Sequence, residues 1–395
     1  MTSVPRICIL GGGFGGLYTA LRLHQLAWAP GQKPEITLID RHLNFVFTPL
    51  LYELITGEMQ GWEIAPPFAE LLKGTDIRFI QGSVDWIDKN QKTVTLEGGT
   101  EIDYDRLVLS LGCETPVDTV PGVMENAIAF RSLEDAYKLD AKLRILETAT
   151  TEKIRIAIVG AGYTGVEVAC KLADRLKERG RIRLIQSGNK ILPNALEFNR
   201  NAALKALEQR GVWVDLETNV SEITADSIGL IYKGQTDIIP AEIIMWTVGN
   251  QVSPAITHFE LPLNPQGKIT VTQTLQVTEN SDIYALGDAA AISDADGQFI
   301  PTTAQVAFQQ SDFVAWNIWS SLTDRPLLPF KYTNLGEMMV LGDDNAVLSG
   351  MGIKLDGPLA YLTRRLVYLY RLPTLEHQLK VGLNWLTQPL VKMLS

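Results

Sequence analysis

Six glycines, Gly11, Gly13 and Gly16 and then Gly160, Gly162 and Gly165, repeat one spacing, G-x-G-x-x-G, at two places in the chain. That spacing suits the binding of a pyrophosphate. The first glycine makes a tight turn, the second lets the backbone approach the anion, and the third lets a helix pack closely on the preceding strand, so that the helix N-terminus faces the phosphates. Polar groups at neighbouring strand ends then select the nucleotide. Asp40 closes the stretch EITLID at about the distance expected of a carboxylate that takes a ribose 2′-hydroxyl. Gln186 closes the corresponding stretch RIRLIQ, where an acid is usual. A carboxylate there would repel a 2′-phosphate, whereas an amide donates to it, with Ser187, Asn189, Arg183 or Lys190 to assist. Acceptance of NADPH at least comparable to that of NADH follows. The alternative is a neutral residue that merely tolerates NADH.

These residues need elements to position them. RICILGGGFGGLYTALRL (6–23) and RIAIVGAGYTGVEVACKL (155–172) each read as an apolar strand, a glycine loop and a helix. Each unit later closes with a strand and a small-residue turn, one ending at Gly112 and the other at Gly249. The segment DIYALGDAA (282–290) completes the first unit and puts Asp288 at a sheet end, where it accepts hydrogen bonds from a polyol chain such as that of a flavin. The expected fold class is α/β, with two Rossmann-like dinucleotide-binding domains, the second inserted in the first. The expected boundaries are 1–120 and 253–330 for the first, discontinuous domain and 121–252 for the inserted second. A C-terminal amphipathic helical region, 331–395, follows.

Composition narrows the partners. A net charge of −10 argues against nucleic acid. The excess is uneven, because residues 351–395 carry six basic against two acidic side chains. Cys8, Cys113 and Cys170 form no C-x-x-C pair, which points away from a disulfide scaffold or a zinc site and towards a reducing compartment. No metal is expected. Neither a signal peptide nor a membrane-spanning run is evident.

Taken together, these motifs resemble the flavoprotein disulfide reductase-like superfamily, and within it the type II NADH dehydrogenases, which are single-chain NAD(P)H:quinone oxidoreductases. The specific matches are DRHLNFVFTPLLYELITGEM (40–59), AQVAFQQSDFVAWNI (304–318) and the apolar, basic tail. The resemblance implies that Gly11, Gly13, Phe14, Gly15 and Gly16 line the FAD pyrophosphate and that Asp40 and Arg41 hold the adenosine. Thr48, Pro49, Ser110 and Gly112 would lie by the flavin, Val84 by the adenine and Asp288 on the ribityl chain. Gly160, Gly162, Tyr163, Thr164, Gly165, Gln186 and Gly249 would bind NADPH or NADH. Glu167 would position the nicotinamide or relay a proton, Gln305 and Gln309 would orient the quinone carbonyls, and Lys354 is a weaker candidate charge partner. The chain departs from some relatives at Phe308 and Ser110. A narrower resemblance is to the short forms of oxygenic phototrophs, including those that reduce demethylphylloquinone in vitamin K1 biosynthesis.

In the tail, Leu359, Leu362, Leu366 and Leu369, then Leu375, Leu379, Leu383, Leu386 and Leu390, recur at helical spacing, with Thr374 as a cap between the two runs. Arg364, Tyr368 and Arg371 mark another face of the first helix, and Glu376, Lys380 and Asn384 lie opposite the leucines of the second. With tyrosines and Trp385 beside basic residues, the expectation is interfacial attachment, peripheral and on the cytoplasmic side of a thylakoid or plasma membrane. Core or homodimer packing is the alternative. Two other functions stay open, a soluble reductase of a small electron-transfer protein and a redox-sensing flavoprotein with negligible turnover.

Overall fold

The computed structural model describes residues 4–150, 152–293, 297 and 299–394, without the side chains of residues 388–394. The chain forms two units. The first comprises residues 1–45, 66–114 and 251–333, and the second residues 46–65, 115–250 and 334–395.

In the first unit a six-stranded sheet runs in the order Gln276–Val277, Asn280–Ala285, Arg106–Leu109, Arg6–Leu10, Glu35–Asp40, Arg78–Gln81. All its pairings are parallel except that of the short edge strand Gln276–Val277. Ile7, Cys8, Ile9 and Leu10 are buried without alternation, as a strand covered on both faces requires. Strand order reverses beside Arg6–Leu10, and the glycine loop that follows that strand lies at this switch point, where open α/β sheets bind ligands. The helix Phe14–Gln25 leaves the loop with Leu17, Ala20 and Leu23 buried.

The second unit repeats the arrangement in four parallel strands, in the order Trp213–Asp215, Gly180–Ile185, Ile154–Val159, Ile243–Trp246. The helix Tyr163–Leu176 leaves its loop, and Val166, Val168, Ala169, Cys170 and Leu172 join the core. Two three-stranded antiparallel sheets add to it, Thr218–Ile223 with Ser227–Tyr232 and Gln235–Pro240, and Glu337–Val340 with Ala346–Gly350 and Ile353–Asp356. Cys8 and Cys170 are core thiols, and burial pushes both up, that of Cys170 to about 12.

Two divisions differ from the expectation. The segment 46–65 follows the second strand of the first unit in sequence, yet it packs in the second unit, where Leu51, Tyr52 and Ile55 join the core around the helix Tyr163–Leu176. The tail is not a third region, because residues 334–395 pack in that same unit.

The tail helices, Gly357–Arg371 and Leu375–Leu394, are amphipathic in the opposite sense to a core helix. Leu359, Leu362, Leu366, Leu375, Leu379, Leu383 and Leu386 are exposed. The polar residues Arg364 and His377 are buried instead, and Tyr361 with them. Glu63, itself fully buried, accepts from Asn384 Nδ2 and Trp385 Nε1, both at 3.0 Å, and its backbone oxygen meets His377 Nε2 at 2.9 Å. Thr374 caps the second helix, accepting from His377 N at 3.3 Å. Glu376 and Lys380 pair with each other on the surface. The Leu390 side chain lies outside the described residues.

Candidate nucleotide sites and a buried acid

The two glycine loops are built alike. Gly11 and Gly160 both take positive φ, +93° and +101°, and each donates its N–H at 2.8 Å to the end of the neighbouring strand, at Ile39 O and Ile185 O. A Cβ on Gly16 would stand 1.8 Å from Gly11 O, and one on Gly165 1.8 Å from Gly160 O, so the helix closes on its strand only through glycine. Gly13 and Gly162 differ from these, because a Cβ there would meet nothing within 4 Å. Both are helix N-caps without a side-chain cap. Open space lies before helix N-termini that point amides at it, and this fits a pyrophosphate in each loop.

The residues flanking the loops repeat as well. Ser110 Oγ donates to Leu10 O and Gly11 O at 2.9 and 2.8 Å, and Thr247 Oγ1 donates to Val159 O and Gly160 O at 2.8 and 2.9 Å. The Ser110 hydroxyl therefore pins the loop to the next strand. Thr247 does the same in the second unit and was missed; its signal was the alignment of VLSLG with MWTVG. Gly112 and Gly249, two residues further on in each case, both take positive φ.

At the selecting position, Asp40 Oδ2 accepts from Gly12 N at 2.6 Å and Oδ1 from His42 N at 2.8 Å. In the second unit Gln186 Oε1 accepts from Ala161 N at 3.1 Å. The two side chains hold equivalent loop amides. Gln186 does so with its amide oxygen, which leaves Nε2 a donor at the turn 187–190, where a Cβ on Gly188 would stand 3.1 Å from it. Ser187, Asn189 and Lys190 are exposed on that turn. Arg183 is not available there. Its guanidinium makes a two-point pair with Asp215, at 2.8 and 3.0 Å, and lies over the Trp213 ring.

The other expected contacts divide between the two units. In the first unit, Phe14 packs edge-on against Phe45 at 5.3 Å, Val84 is half-buried in the strand Val84–Asp88, and Arg41 pairs with Glu114 at 2.8 Å. Asp288 accepts from Cys113 Sγ at 2.7 Å, and the turn that carries it is fixed by Gln310 Oε1, which accepts from Gly287 N at 2.7 Å. Gln310 was also missed, although it is the second glutamine of the doublet in AQVAFQQ and the buried one. Gln305 Oε1 accepts from Tyr332 OH at 3.0 Å. Gln309 bonds the Thr333 backbone with both ends of its amide, Nε2 to O at 2.9 Å and Oε1 from N at 3.0 Å.

In the second unit the helix Tyr163–Leu176 carries a polar stripe, Thr164, Glu167 and Lys171, on its buried side. Glu167 Oε1 accepts from Val340 N at 2.9 Å, and the Tyr52 hydroxyl, which donates to Thr164 Oγ1 at 3.3 Å, lies beside its carboxyl. Burial pushes Glu167 up to about 7 against the opposing pull of Arg364. Thr48 and Pro49 open the 3-10 turn Thr48–Leu54, and Pro49 O accepts from Arg364 Nη2 at 2.5 Å. Tyr163 begins the helix, and burial and the nearby Glu337 carboxylate push its hydroxyl up. Lys354 stands apart from this cluster, on the strand Ile353–Asp356, with its ammonium 5.6 Å from the Phe198 ring. The cations beside the acids are Lys171 and Arg364.

Comparison with known proteins agrees with this geometry. Residues 5–311 match the family described as pyridine nucleotide-disulphide oxidoreductase. The chain is 57% identical over 390 residues to demethylphylloquinone reductase NdbB of Synechocystis sp., covering 98% of this chain and 96% of that protein. It is 43% identical to the alternative NAD(P)H-ubiquinone oxidoreductase C1, chloroplastic/mitochondrial, of Arabidopsis thaliana, covering 99% of this chain and 82% of that one. Its fold superposes on NDH2 from Plasmodium falciparum in complex with NADH with a TM-score of 0.87 at 19% identity, covering 98% of both chains.

Proposed function

Because the chain belongs to the pyridine nucleotide-disulphide oxidoreductase family, and within it to the type II NAD(P)H:quinone oxidoreductases, we propose that it oxidises NADPH at least as well as NADH and reduces a membrane naphthoquinone of the demethylphylloquinone type. The observation that carries this reading is the pair of matched loops that differ at one selecting side chain, carboxylate at Asp40 and amide at Gln186. FAD, when bound to the first unit, supplies a ring that accepts a hydride and passes on two electrons. Gly11, Gly13, Phe14, Gly15 and Gly16 would hold its pyrophosphate, Asp40 its adenosine ribose and Asp288 its polyol chain. In the second unit Gly160, Gly162, Tyr163, Thr164 and Gly165 would hold the nicotinamide dinucleotide. There Gln186 Nε2, with Ser187, Asn189 and Lys190, offers donors to a 2′-phosphate.

Reduction of a quinone to its hydroquinone takes up one proton beyond the hydride. Glu167 is the acid suited to give it. A carboxyl titrating near neutrality loses a proton readily yet is still largely protonated below pH 7. Tyr52 and the Val340 amide fix its direction. Gln305 is the amide suited to a quinone carbonyl, while Gln309 secures the Thr333 backbone.

The outward leucines support attachment to a lipid surface. No helix among the described residues is long and apolar enough to cross a membrane, so the attachment is peripheral, with basic residues of the tail towards anionic headgroups. Steady-state rates of purified holoprotein with NADPH and NADH, against ubiquinone and naphthoquinone acceptors, test the proposal. Expected are bound FAD, a naphthoquinone as the better acceptor and kcat/KM for NADPH at least equal to that for NADH. Protein without flavin, or without quinone turnover, would refute it.

A further inference from the structure

The acid cluster of the second unit is larger than a single proton donor requires. Lys171, one helical turn beyond Glu167 and fully buried, stands 2.7 Å from Glu53 Oε2 and 3.2 Å from Asp343 Oδ1 and donates to Glu58 Oε2. Arg364 donates to the other oxygen of Glu53 at 2.6 Å, and its charge also acts on Glu167. Glu58 is held from every side. Thr56 donates to its Oε2 at 2.7 Å, Tyr361 donates to its Oε1, and Arg365 reaches that tyrosine hydroxyl at 3.3 Å. Four carboxyl groups, Glu53, Glu58, Asp343 and Glu167, therefore surround two buried cations. Asp343 is at the surface, but Glu53 and Glu167 are buried and Glu58 mostly so, and an excess of three such carboxyls over two cations is costly unless a proton makes up the difference.

We propose that Glu53 and Glu58, clamped on Lys171, form a proton-loading site coupled to Glu167: ionised Glu58 holds the proton on Glu167, and uptake at Glu58 offsets the charge left when Glu167 gives that proton away. This rests on the assignment of Glu167 as the donor to a quinone. The electrostatics divide the pair accordingly. Burial pushes Glu53 up, but Arg364 and Lys171 overcome it and hold the carboxylate at about 2. Burial and then the charge of Glu53 push Glu58 up to about 7. The Glu58 side chain is 18% exposed and that of Asp343 46%, against 6% for Glu167 and 2% for Glu53, so the Lys171 end of the cluster is the more open to solvent. Arg364 keeps its proton at any ordinary pH. Glu53, whose charge pushes up both Glu58 and Glu167, links the two ends, so the coupling is one of charge, and the atoms balance simply: NAD(P)H, a quinone and one proton give NAD(P)⁺ and a hydroquinone. Glu167 gives the proton and is left as carboxylate, Glu58 takes one from water, and Glu167 is later reprotonated from solvent as Glu58 releases its own.

Infrared pH-difference spectra of the holoprotein test this without turnover, because a protonated carboxyl has its own carbonyl band. Two bands titrating near neutrality are expected. Glu58→Gln should remove one and move the other, that of Glu167, to lower pH by about half a unit or more, since a neighbouring negative charge is lost. Tyr361→Phe, which removes a donor to the Glu58 carboxylate without changing charge, should move the Glu58 band to higher pH. In stopped flow, Glu58→Gln should shift the alkaline fall in quinone-driven flavin reoxidation to lower pH and leave flavin reduction by NADPH unchanged. An unaltered pair of bands in Glu58→Gln, or a Glu167 band and reoxidation profile that do not move, would overturn the proposal. Absence of quinone-driven reoxidation in the wild type would instead remove the functional reading, and the spectra would stand apart from that result.

Discussion

At the scale of single residues, one atom type separates the two nucleotide loops. Asp40 and Gln186 both hold the amide after the first glycine, so the loop itself does not require a carboxylate. Gln186→Glu should keep the fold and shift the ratio of kcat/KM for NADPH over NADH towards NADH by about tenfold, roughly 1.4 kcal/mol. An unchanged ratio would remove Gln186 from nucleotide selection. Glu167→Gln keeps the shape of the acid but not its proton, and should slow quinone-driven reoxidation about a hundredfold while flavin reduction is unaffected. Stability carries the same signature. Glu58 and Glu167 are both raised from 4.5 to about 7 in the folded chain. The folded state therefore binds protons more tightly than the unfolded one, and the stability they contribute is complete below pH 4.5 and lost as pH rises to about 7. Urea unfolding across that window should show the decline in wild type and a smaller one in Glu58→Gln. Lys171→Met should cost about 3–5 kcal/mol, more at pH 8 than at pH 6, because Glu58 then faces Glu53 ionised.

At the scale of elements, the same helix does different work in the two units. Tyr18 and Arg22 in the first occupy the places of Glu167 and Lys171 in the second. Tyr18 packs against Phe308 and Arg22 pairs with Asp312 near the surface, whereas Glu167 and Lys171 enter the core. The loops, strands and helices of both units were legible because glycine spacing and unbroken apolar runs are local properties of the chain. The acid cluster was not, since Glu53 and Arg364 lie 311 residues apart and meet only in the fold. Helical phase placed Arg364 opposite the leucines of its helix, but phase alone does not say which face is covered. The choice between Gln309 and Gln310 turned on a rotation of one residue. The tail helices carry the prediction at this scale. Replacing Leu362, Leu366, Leu379 and Leu383 by Gln should leave turnover of a water-soluble quinone analogue intact and abolish flotation with anionic liposomes, each leucine giving up about 1.5–3 kcal/mol of burial. Retained flotation would remove the leucine face from lipid attachment.

At the scale of the whole molecule, two dinucleotide folds in one chain divide the work, one built to hold FAD and the other a nicotinamide dinucleotide, and the tail packs its polar side chains inside the second unit. That packing leaves the leucines on the surface, the face proposed for lipid, and no helix among the described residues is long and apolar enough to cross a membrane. The chain would thus join a donor in water to an acceptor in the membrane, consuming one proton for each hydroquinone formed. The most direct test of this claim is an anaerobic single turnover followed by flavin absorbance. The account predicts that NADPH bleaches the bound FAD completely and that an added naphthoquinone restores it with one hydroquinone formed per flavin. Bleaching that no quinone reverses, or a flavin that neither NADPH nor NADH reduces, would contradict it.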